Sequence, residues 1–128
     1  MIKWKDDYLL GIEVIDEQHK ELFRIVESAY ALLKNDFLTD KYDRIIAIIE
    51  DLKNYAVFHF KTEEEYMQKI GYRRFLSHKV QHDDFLEKVS KIDLESVDAK
   101  QDQYLLDILE FALNWIDKHI LQTDKTII

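Results

Sequence analysis

The residues of this chain that could do chemistry are its histidines, which all stand at metal-ligand spacings together with two carboxylates. The chain has five histidines, and none is left outside the pattern. The seven candidate ligands are His19, His59, Glu63, His78, His82, His119 and Asp124. Neutral imidazoles suit iron, copper, nickel or zinc, and carboxylates add oxygen ligands. The pattern therefore predicts a metal cluster.

Helical spacing explains how these residues could reach the same ions. His59 with Glu63, and His78 with His82, are four residues apart, so each pair lies on one helical face with side chains about 6 Å apart. Asp124 follows His119 by five residues, a rotation of about 500° that does not return to the same face. We therefore predict that the last helix ends just after His119 and that the chain turns Asp124 back toward the cluster.

Four segments have the apolar periodicity of amphipathic helices that face a bundle core. The predicted helices span about 17–34, 40–70, 72–92 and 102–121, and the candidate ligands fall in their apolar stripes. The links are 35–39, a tight reversal at Gly71, and a longer polar stretch at 93–101. Such links predict an all-α, up-down-up-down antiparallel four-helix bundle.

Composition favours the same fold class and excludes several kinds of function. The 128 residues include no proline and two glycines, which favours long helices, and we expect one domain covering residues 1–128. The net charge of −8 without a basic patch argues against nucleic acid, and the absence of cysteine excludes thiolate zinc sites and iron–sulfur clusters. We find neither a signal peptide nor a membrane span of about 18 apolar residues, so the expected location is the cytoplasm.

Heights along the helices place the candidate ligands at one end of the bundle. At about 1.5 Å per residue, Glu63 lies roughly 12 Å before the Gly71 turn and His78 roughly 10 Å after it. The predicted first helix begins, and the fourth ends, near that same end, close to His19 and His119. All four helices are therefore predicted to meet at a single site.

Seven protein ligands exceed what one octahedral ion needs, so we expect two ions bridged by Glu63 and Asp124. The five imidazoles then divide as three and two, and a solvent-derived bridge leaves one coordination position open. An open position on a redox-active metal in an apolar core is a site for a small ligand such as dioxygen.

The motifs around these residues resemble the hemerythrin family, and within it the single-domain bacteriohemerythrins. Nearly the whole chain takes part: Trp4 and Tyr8 resemble an N-terminal arm, and GIEVIDEQHKELF at 11–23 resembles the first ligand motif. HFKTEEEYM at 59–67, HKVQH at 78–82 and WIDKHILQTDK at 115–125 resemble the other three. One departure is Arg73, at a position where relatives often have proline.

The resemblance implies a cofactor and a role for each ligand. The cofactor would be two iron ions, Fe2+ or Fe3+, in a non-heme di-iron centre with an oxo or hydroxo bridge, and Glu63 and Asp124 would bridge the irons. His78, His82 and His119 would hold the six-coordinate iron, while His19 and His59 would hold the iron that takes dioxygen. The expected apolar wall of the oxygen pocket comprises Leu22, Phe23, Phe60, Trp115, Ile116 and Ile120.

Three functional interpretations remain at the level of sequence. The favoured one is reversible dioxygen binding for storage, delivery or scavenging, without enzymatic turnover, because substrate-oxidising di-iron bundles use more carboxylates. The others are an oxygen or redox sensor, and a protein acting on peroxide or nitric oxide. Expected partners are dioxygen and an unidentified oxygen-consuming or redox protein, with no nucleic acid and no membrane.

Overall fold

The computed structural model describes residues 3–34, 41–90 and 102–128 of the chain. Four α-helices occupy most of this part: α1 Glu13–Leu33, α2 Lys41–Lys69, α3 Phe75–Ser90 and α4 Asp102–Gln122. Short 3-10 helices cover Asp6–Tyr8 and Asp124–Ile127, and the described residues contain no strand. The all-α prediction is confirmed. The predicted links 35–39 and 93–101, and the predicted helix ends at Asp40 and Ile92, lie outside the described residues.

The helices form a bundle in which consecutive members run in opposite directions. α1 packs against α2 and α4, and α2 packs against α3. Residues from the first half of α1 and of α3, and from the last third of α2 and of α4, meet at one end of the bundle. This arrangement requires the alternating directions of an up-down-up-down bundle.

One hydrophobic core holds the helices together, with contributions from all four. Val26, Ile49, Phe85 and Leu109 are examples of side chains buried in it. Burying one such aliphatic or aromatic side chain contributes about 1.5–3 kcal/mol. The core continues to Ile116 and Ile120, which lie beside the candidate ligands on α4.

The first helix begins four residues earlier than the sequence predicted. Asp16 accepts hydrogen bonds from the backbone N–H groups of Leu10 at 2.8 Å and Gly11 at 3.1 Å, and Gly11 has φ +84°. Because the carboxylate satisfies these two donors, the chain turns tightly into α1 at Glu13. Ile15, in the added turn, is fully buried.

The reversal between α2 and α3 has the hydrogen bonds of a Schellman motif. Tyr72 N–H donates to the Met67 carbonyl at 2.9 Å, and Gly71 N–H donates to the Gln68 carbonyl at 3.2 Å. Gly71 has φ +66°, a conformation that glycine adopts without a Cβ penalty. The predicted helix stop at Gly71 is confirmed, whereas α3 starts at Phe75 and not at Tyr72.

Candidate metal centre

The structure brings all seven candidate ligands together at one end of the bundle. Each is at most 5% exposed, although each is polar or ionisable. His19 comes from α1, His59 and Glu63 from α2, His78 and His82 from α3, and His119 from α4. Burying so many polar groups is costly unless each finds a partner, so this end of the bundle needs a physical explanation beyond packing.

Glu63 lies at the centre of the cluster, and its two oxygen atoms face different histidines. Oε1 is 2.9 Å from His19 Nε2 and 2.6 Å from His59 Nε2. Oε2 is 3.3 Å from the Nε2 atoms of both His78 and His82. The carboxylate therefore separates the histidines of α1 and α2 from those of α3.

The two oxygen atoms of Asp124 also face different histidines, from the opposite side of the cluster. Oδ2 is 3.1 Å from His19 Nε2, while Oδ1 is 2.8 Å from His78 Nε2 and 3.0 Å from His119 Nε2. α4 ends at Gln122, and Asp124 opens the following 3-10 helix. The prediction that the last helix ends soon after His119 and returns Asp124 to the cluster is confirmed.

The resulting arrangement consists of two groups that could each surround a cation. Glu63, His78, His82, His119 and Asp124 form one group, and His19, His59 and Glu63 form the other. Three histidines thus belong to one group and two to the other.

The ring tautomers provide a test of whether cations fit this arrangement. His82 Nδ1 lies 3.0 Å from a Glu64 carboxylate oxygen, and His119 Nδ1 lies 2.9 Å from the Gln81 amide oxygen. Both partners are acceptors, so each neutral ring carries its hydrogen on Nδ1 and a lone pair on Nε2. These two lone pairs face each other with the Nε2 atoms 3.0 Å apart. A cation between them turns the repulsion into two bonds.

His59 has the same feature on the other side of the cluster. Its Nδ1 is 2.8 Å from the Gln18 amide oxygen, so the lone pair on Nε2 points at Glu63 Oε1, only 2.6 Å away. Glu63 Oε2 and both oxygens of Asp124 are buried without a hydrogen bond. Two nitrogen ligands bound at right angles to one ion at about 2.1 Å would lie roughly 3.0 Å apart. This matches the distance of 3.0 Å between the Nε2 atoms of His82 and His119. The residues present therefore fit bound cations.

The pKa values of the metal-free cluster separate the histidines into two kinds. Burial lowers the pKa of His59 despite the nearby Glu63 carboxylate. Burial also acts to lower the pKa of His19 and of His78, but the close Asp124 and Glu63 carboxylates outweigh it and raise each pKa to about 9. Although burial opposes it, the surrounding histidines hold the pKa of Glu63 well below its usual range. Metal binding would therefore displace protons from part of the cluster.

A small apolar cavity adjoins both histidines of the smaller group, His19 and His59, and also reaches His119 and Asp124 of the larger group. Its volume is about 10 Å³. Its lining consists of His19, Leu22, His59, Phe60, Trp115, Ile116, His119, Ile120 and Asp124. A space of this size holds about one water molecule, so it excludes larger organic molecules.

Five of the six residues predicted for the pocket wall line this cavity, and Phe23 does not. The Phe23 ring instead packs against the N-terminal arm, with its centroid 5.8 Å from that of Trp4 and 4.9 Å from that of Tyr8. Consecutive helical residues point about 100° apart, so Leu22 faces the cavity while Phe23 faces the arm.

Three polar residues that hold the ligands were not predicted from the sequence. Gln18, Glu64 and Gln81 each contact the Nδ1 atom of a candidate ligand. Each stands next to a candidate ligand in the sequence, but each contacts a histidine of another helix. Only the packing of the helices identifies these pairs.

The family described as Hemerythrin HHE cation binding domain matches residues 10–128. The chain belongs to the hemerythrin family. The resemblance indicated by the sequence motifs is thereby confirmed.

Relatives within the hemerythrin family include proteins of similar length. A bacteriohemerythrin of Clostridium acetobutylicum is 46% identical over 128 residues, which is 100% of this chain and 99% of the relative. A bacteriohemerythrin of Methylococcus capsulatus is 32% identical over 110 residues, 86% of this chain and 80% of the relative. A hemerythrin-like protein of Naegleria gruberi is 25% identical over 121 residues, 94% of this chain and 86% of the relative.

Proposed function

We propose that this hemerythrin-family chain binds dioxygen reversibly at two iron ions held by the seven clustered residues. Membership of the family supports iron as the metal and dioxygen as the ligand. When bound, reduced iron supplies the electrons that dioxygen takes up on binding and returns on release. The observation that carries the proposal is the unequal division of the histidines, three against two, with an apolar cavity beside the smaller group.

The protein side chains hold the ions and decide where a ligand can enter. Glu63 and Asp124 each present one oxygen to either side, so both are suited to bridge the two ions. His78, His82 and His119 provide three nitrogen ligands on one side, and His19 and His59 provide two on the other. The ion on the side with fewer protein ligands would have more coordination positions left for ligands that the protein does not supply, such as an oxo or hydroxo bridge and dioxygen.

The cavity favours binding over turnover. Apart from the candidate ligands, its lining consists of the apolar side chains of Leu22, Phe60, Trp115, Ile116 and Ile120. None of these five side chains is an acid that could protonate a bound oxygen species, and the small space beside them limits the access of water. Storage, delivery or scavenging of dioxygen is consistent with such a site.

Several expectations accompany this proposal. Within the described residues, no helix is long and apolar enough to cross a membrane. Cytoplasmic residence, a single domain across residues 1–128, and an oxygen-consuming or redox partner protein remain predictions. Cell fractionation, and capture of partners with and without dioxygen, would test the first and the last.

The direct test of the proposed function is optical. The reduced, iron-loaded protein is expected to gain a visible absorption band under dioxygen and to lose it under argon, through repeated cycles. Asp124→Asn should weaken or abolish the band, whereas Asp107→Asn, on the exposed face of α4, should leave it intact. Irreversible oxidation in the first cycle, or purification of the wild-type chain with zinc and no iron, would contradict the proposal.

A further inference from the structure

Three of the five candidate ligand histidines have a polar side chain at Nδ1, the ring nitrogen that faces away from the cluster. One of these three side chains is a carboxylate. Gln18 and Gln81 present neutral amide oxygens to His59 Nδ1 at 2.8 Å and His119 Nδ1 at 2.9 Å. Glu64 presents a carboxylate oxygen to His82 Nδ1 at 3.0 Å. Among the described residues of the cluster, His82 is therefore set apart by a carboxylate behind it.

The geometry around His82 fixes its ring in one orientation. The Phe60 ring stacks on it with centroids 4.0 Å apart and an interplanar angle of 8°. His82 is fully buried, and Glu64 is 20% exposed, so the carboxylate lies between the cluster and solvent. The stacking and the hydrogen bond together direct Nε2 into the cluster.

A charged acceptor behind a ligand histidine has a different effect from a neutral one. Hydrogen bonding of Nδ1–H to a carboxylate makes the imidazole a stronger electron donor through Nε2. The negative charge also stabilises the more highly charged state of a nearby metal ion. Both effects favour ferric over ferrous iron. An amide oxygen orients the ring without adding a charge.

We propose that Glu64 is a positioning residue that lowers the reduction potential of the iron ion held by His82, through a charged hydrogen bond to the back of that ring. This inference rests on the proposed iron centre. The one-electron couple concerned is ferrous to ferric iron, and the electron passes to or from a redox mediator in the test. Glu64 thereby sets how readily the centre is oxidised to the ferric state.

Glu64 lies close to a lysine as well as to His82. The exposed Lys79 interacts electrostatically with the Glu64 carboxylate. Its ammonium group donates hydrogen bonds to Asp83 at 3.0 and 3.2 Å. The side of Glu64 that faces His82 is occupied by the hydrogen bond to the ring.

The chain offers a matched set of variants. Glu64→Gln keeps an acceptor for His82 Nδ1 and removes the charge, whereas Glu64→Ala removes both. Gln81→Glu is the reciprocal change, because it places a carboxylate behind His119 and can still accept the 3.0 Å hydrogen bond from Thr123 Oγ1. Glu65→Gln makes the same charge change on the exposed face of α2.

The measurement is the reduction potential of the iron-loaded protein, determined by spectroelectrochemical titration with iron content recorded for each variant. Glu64→Gln is expected to raise the reduction potential by at least about 59 mV, which corresponds to a tenfold change in the one-electron oxidation equilibrium. Gln81→Glu is expected to lower it, and Glu65→Gln to leave it nearly unchanged. Glu64→Ala should in addition weaken the binding of Co2+ to the metal-free chain by about 10–100-fold.

Two outcomes would overturn the proposal. The first is a potential in Glu64→Gln equal to that of the wild type, which would mean that Glu64 only orients His82. The second is a shift of equal size in Glu65→Gln, which would mean that net charge alone matters. If Glu64→Gln retains too little iron, an unchanged potential in Gln81→Glu overturns the proposal instead. The potential and the Co2+ affinity are measured without dioxygen, so failure of reversible oxygen binding is distinguishable from failure of this inference.

Discussion

At the scale of single residues, a bulky apolar side chain controls access to the smaller histidine group. Ile116 is 2% exposed and lines the cavity of about 10 Å³ beside His19 and His59. Because a cavity of this size holds about one water molecule, a small increase in its size admits additional solvent. We therefore expect this wall to affect the lifetime of the oxygenated form.

Ile116→Ala is expected to shorten that lifetime several-fold, because water enters the enlarged cavity and promotes oxidation of the iron. The substitution should also lower the free energy of unfolding by about 2–5 kcal/mol. The measurement is the decay of the oxygen-dependent absorption band, alongside denaturant unfolding.

The matched control is Ile108→Ala, two turns away on the same helix. Ile108 is 8% exposed and belongs to the core but not to the cavity lining. This control should lose a comparable amount of stability without a change in decay rate. Equal decay rates for the two variants would show that the cavity wall does not protect the iron.

Single residues also illustrate which parts of the site were predictable. The seven candidate ligands were recognisable because histidine and carboxylate types recur at helical spacings within short motifs. Gln18, Glu64 and Gln81 were not, because each contacts a histidine of a different helix and the sequence carries no record of that pairing. Phe23 was placed in the pocket because it neighbours Leu22, but the helical rotation directs it to the N-terminal arm.

At the scale of elements, the N-terminal arm is anchored to the last helix by a buried tyrosine. Tyr8 is fully buried, with its ring against Trp4 and Phe23, and its hydroxyl donates to Asp117 Oδ1 at 2.5 Å. Asp117 lies on α4 two residues before His119. The arm therefore stabilises the segment of α4 that carries a candidate ligand.

Tyr8→Phe is expected to lower the free energy of unfolding by about 1.5–3 kcal/mol at neutral pH, because a hydrogen bond to a charged group is lost. Burial first, and then the hydrogen bond to Asp117, raise the pKa of Tyr8 well above its usual value of 10. A raised pKa means that this residue's contribution to stability is present below about pH 10 and is lost as pH rises above it.

Denaturant unfolding at pH 7.5 and pH 11 measures both effects. The wild type should lose more stability between these pH values than Tyr8→Phe does. Tyr66→Phe, at a partly exposed tyrosine of α2, should match the wild type at both pH values. An identical pH dependence in wild type and Tyr8→Phe would contradict this role for the buried hydroxyl.

Helix boundaries were predictable where local chemistry decides them. Gly71 ended α2 as expected, since glycine accepts the required left-handed conformation. The start of α1 was predicted four residues too late, because the hydrogen bonds that Asp16 accepts from Leu10 and Gly11 are not visible in apolar periodicity. Likewise, α3 begins later than predicted because Tyr72 belongs to the Schellman turn.

At the scale of the whole molecule, metal binding and folding are coupled. All four helices contribute candidate ligands, so bound ions connect segments that are distant in sequence. Without ions, lone pairs of His82 and His119 face each other, and Asp124 is buried without a hydrogen bond. A ligand present at about 1,000 times its Kd stabilises the folded state by about 4 kcal/mol.

His119→Ala is therefore expected to lose iron and stability together. Its thermal unfolding midpoint should fall toward that of metal-free wild type, and its iron content should drop below that of the wild type. Lys118→Ala, at the exposed neighbouring position, is the control and should keep both properties. Undiminished iron in His119→Ala would mean that α4 does not supply a ligand.

The bundle itself was predictable because periodicity, short links and the absence of proline all agree on one architecture. The order of the ligands along the chain, combined with alternating helix directions, was sufficient to place them at one end. The assignment of each carboxylate oxygen to a particular histidine was not, because it depends on side-chain packing at the scale of an ångström.

We propose that Glu63 and Asp124 bridge two iron ions, and that these ions divide the five histidines as three and two. Crystallography of the iron-loaded protein, with data on both sides of the iron absorption edge, tests it directly. The expected result is two anomalous peaks, one beside His78, His82 and His119 and the other beside His19 and His59, with both carboxylates contacting both ions. A single peak, or two peaks that share neither carboxylate, would contradict this arrangement of ligands.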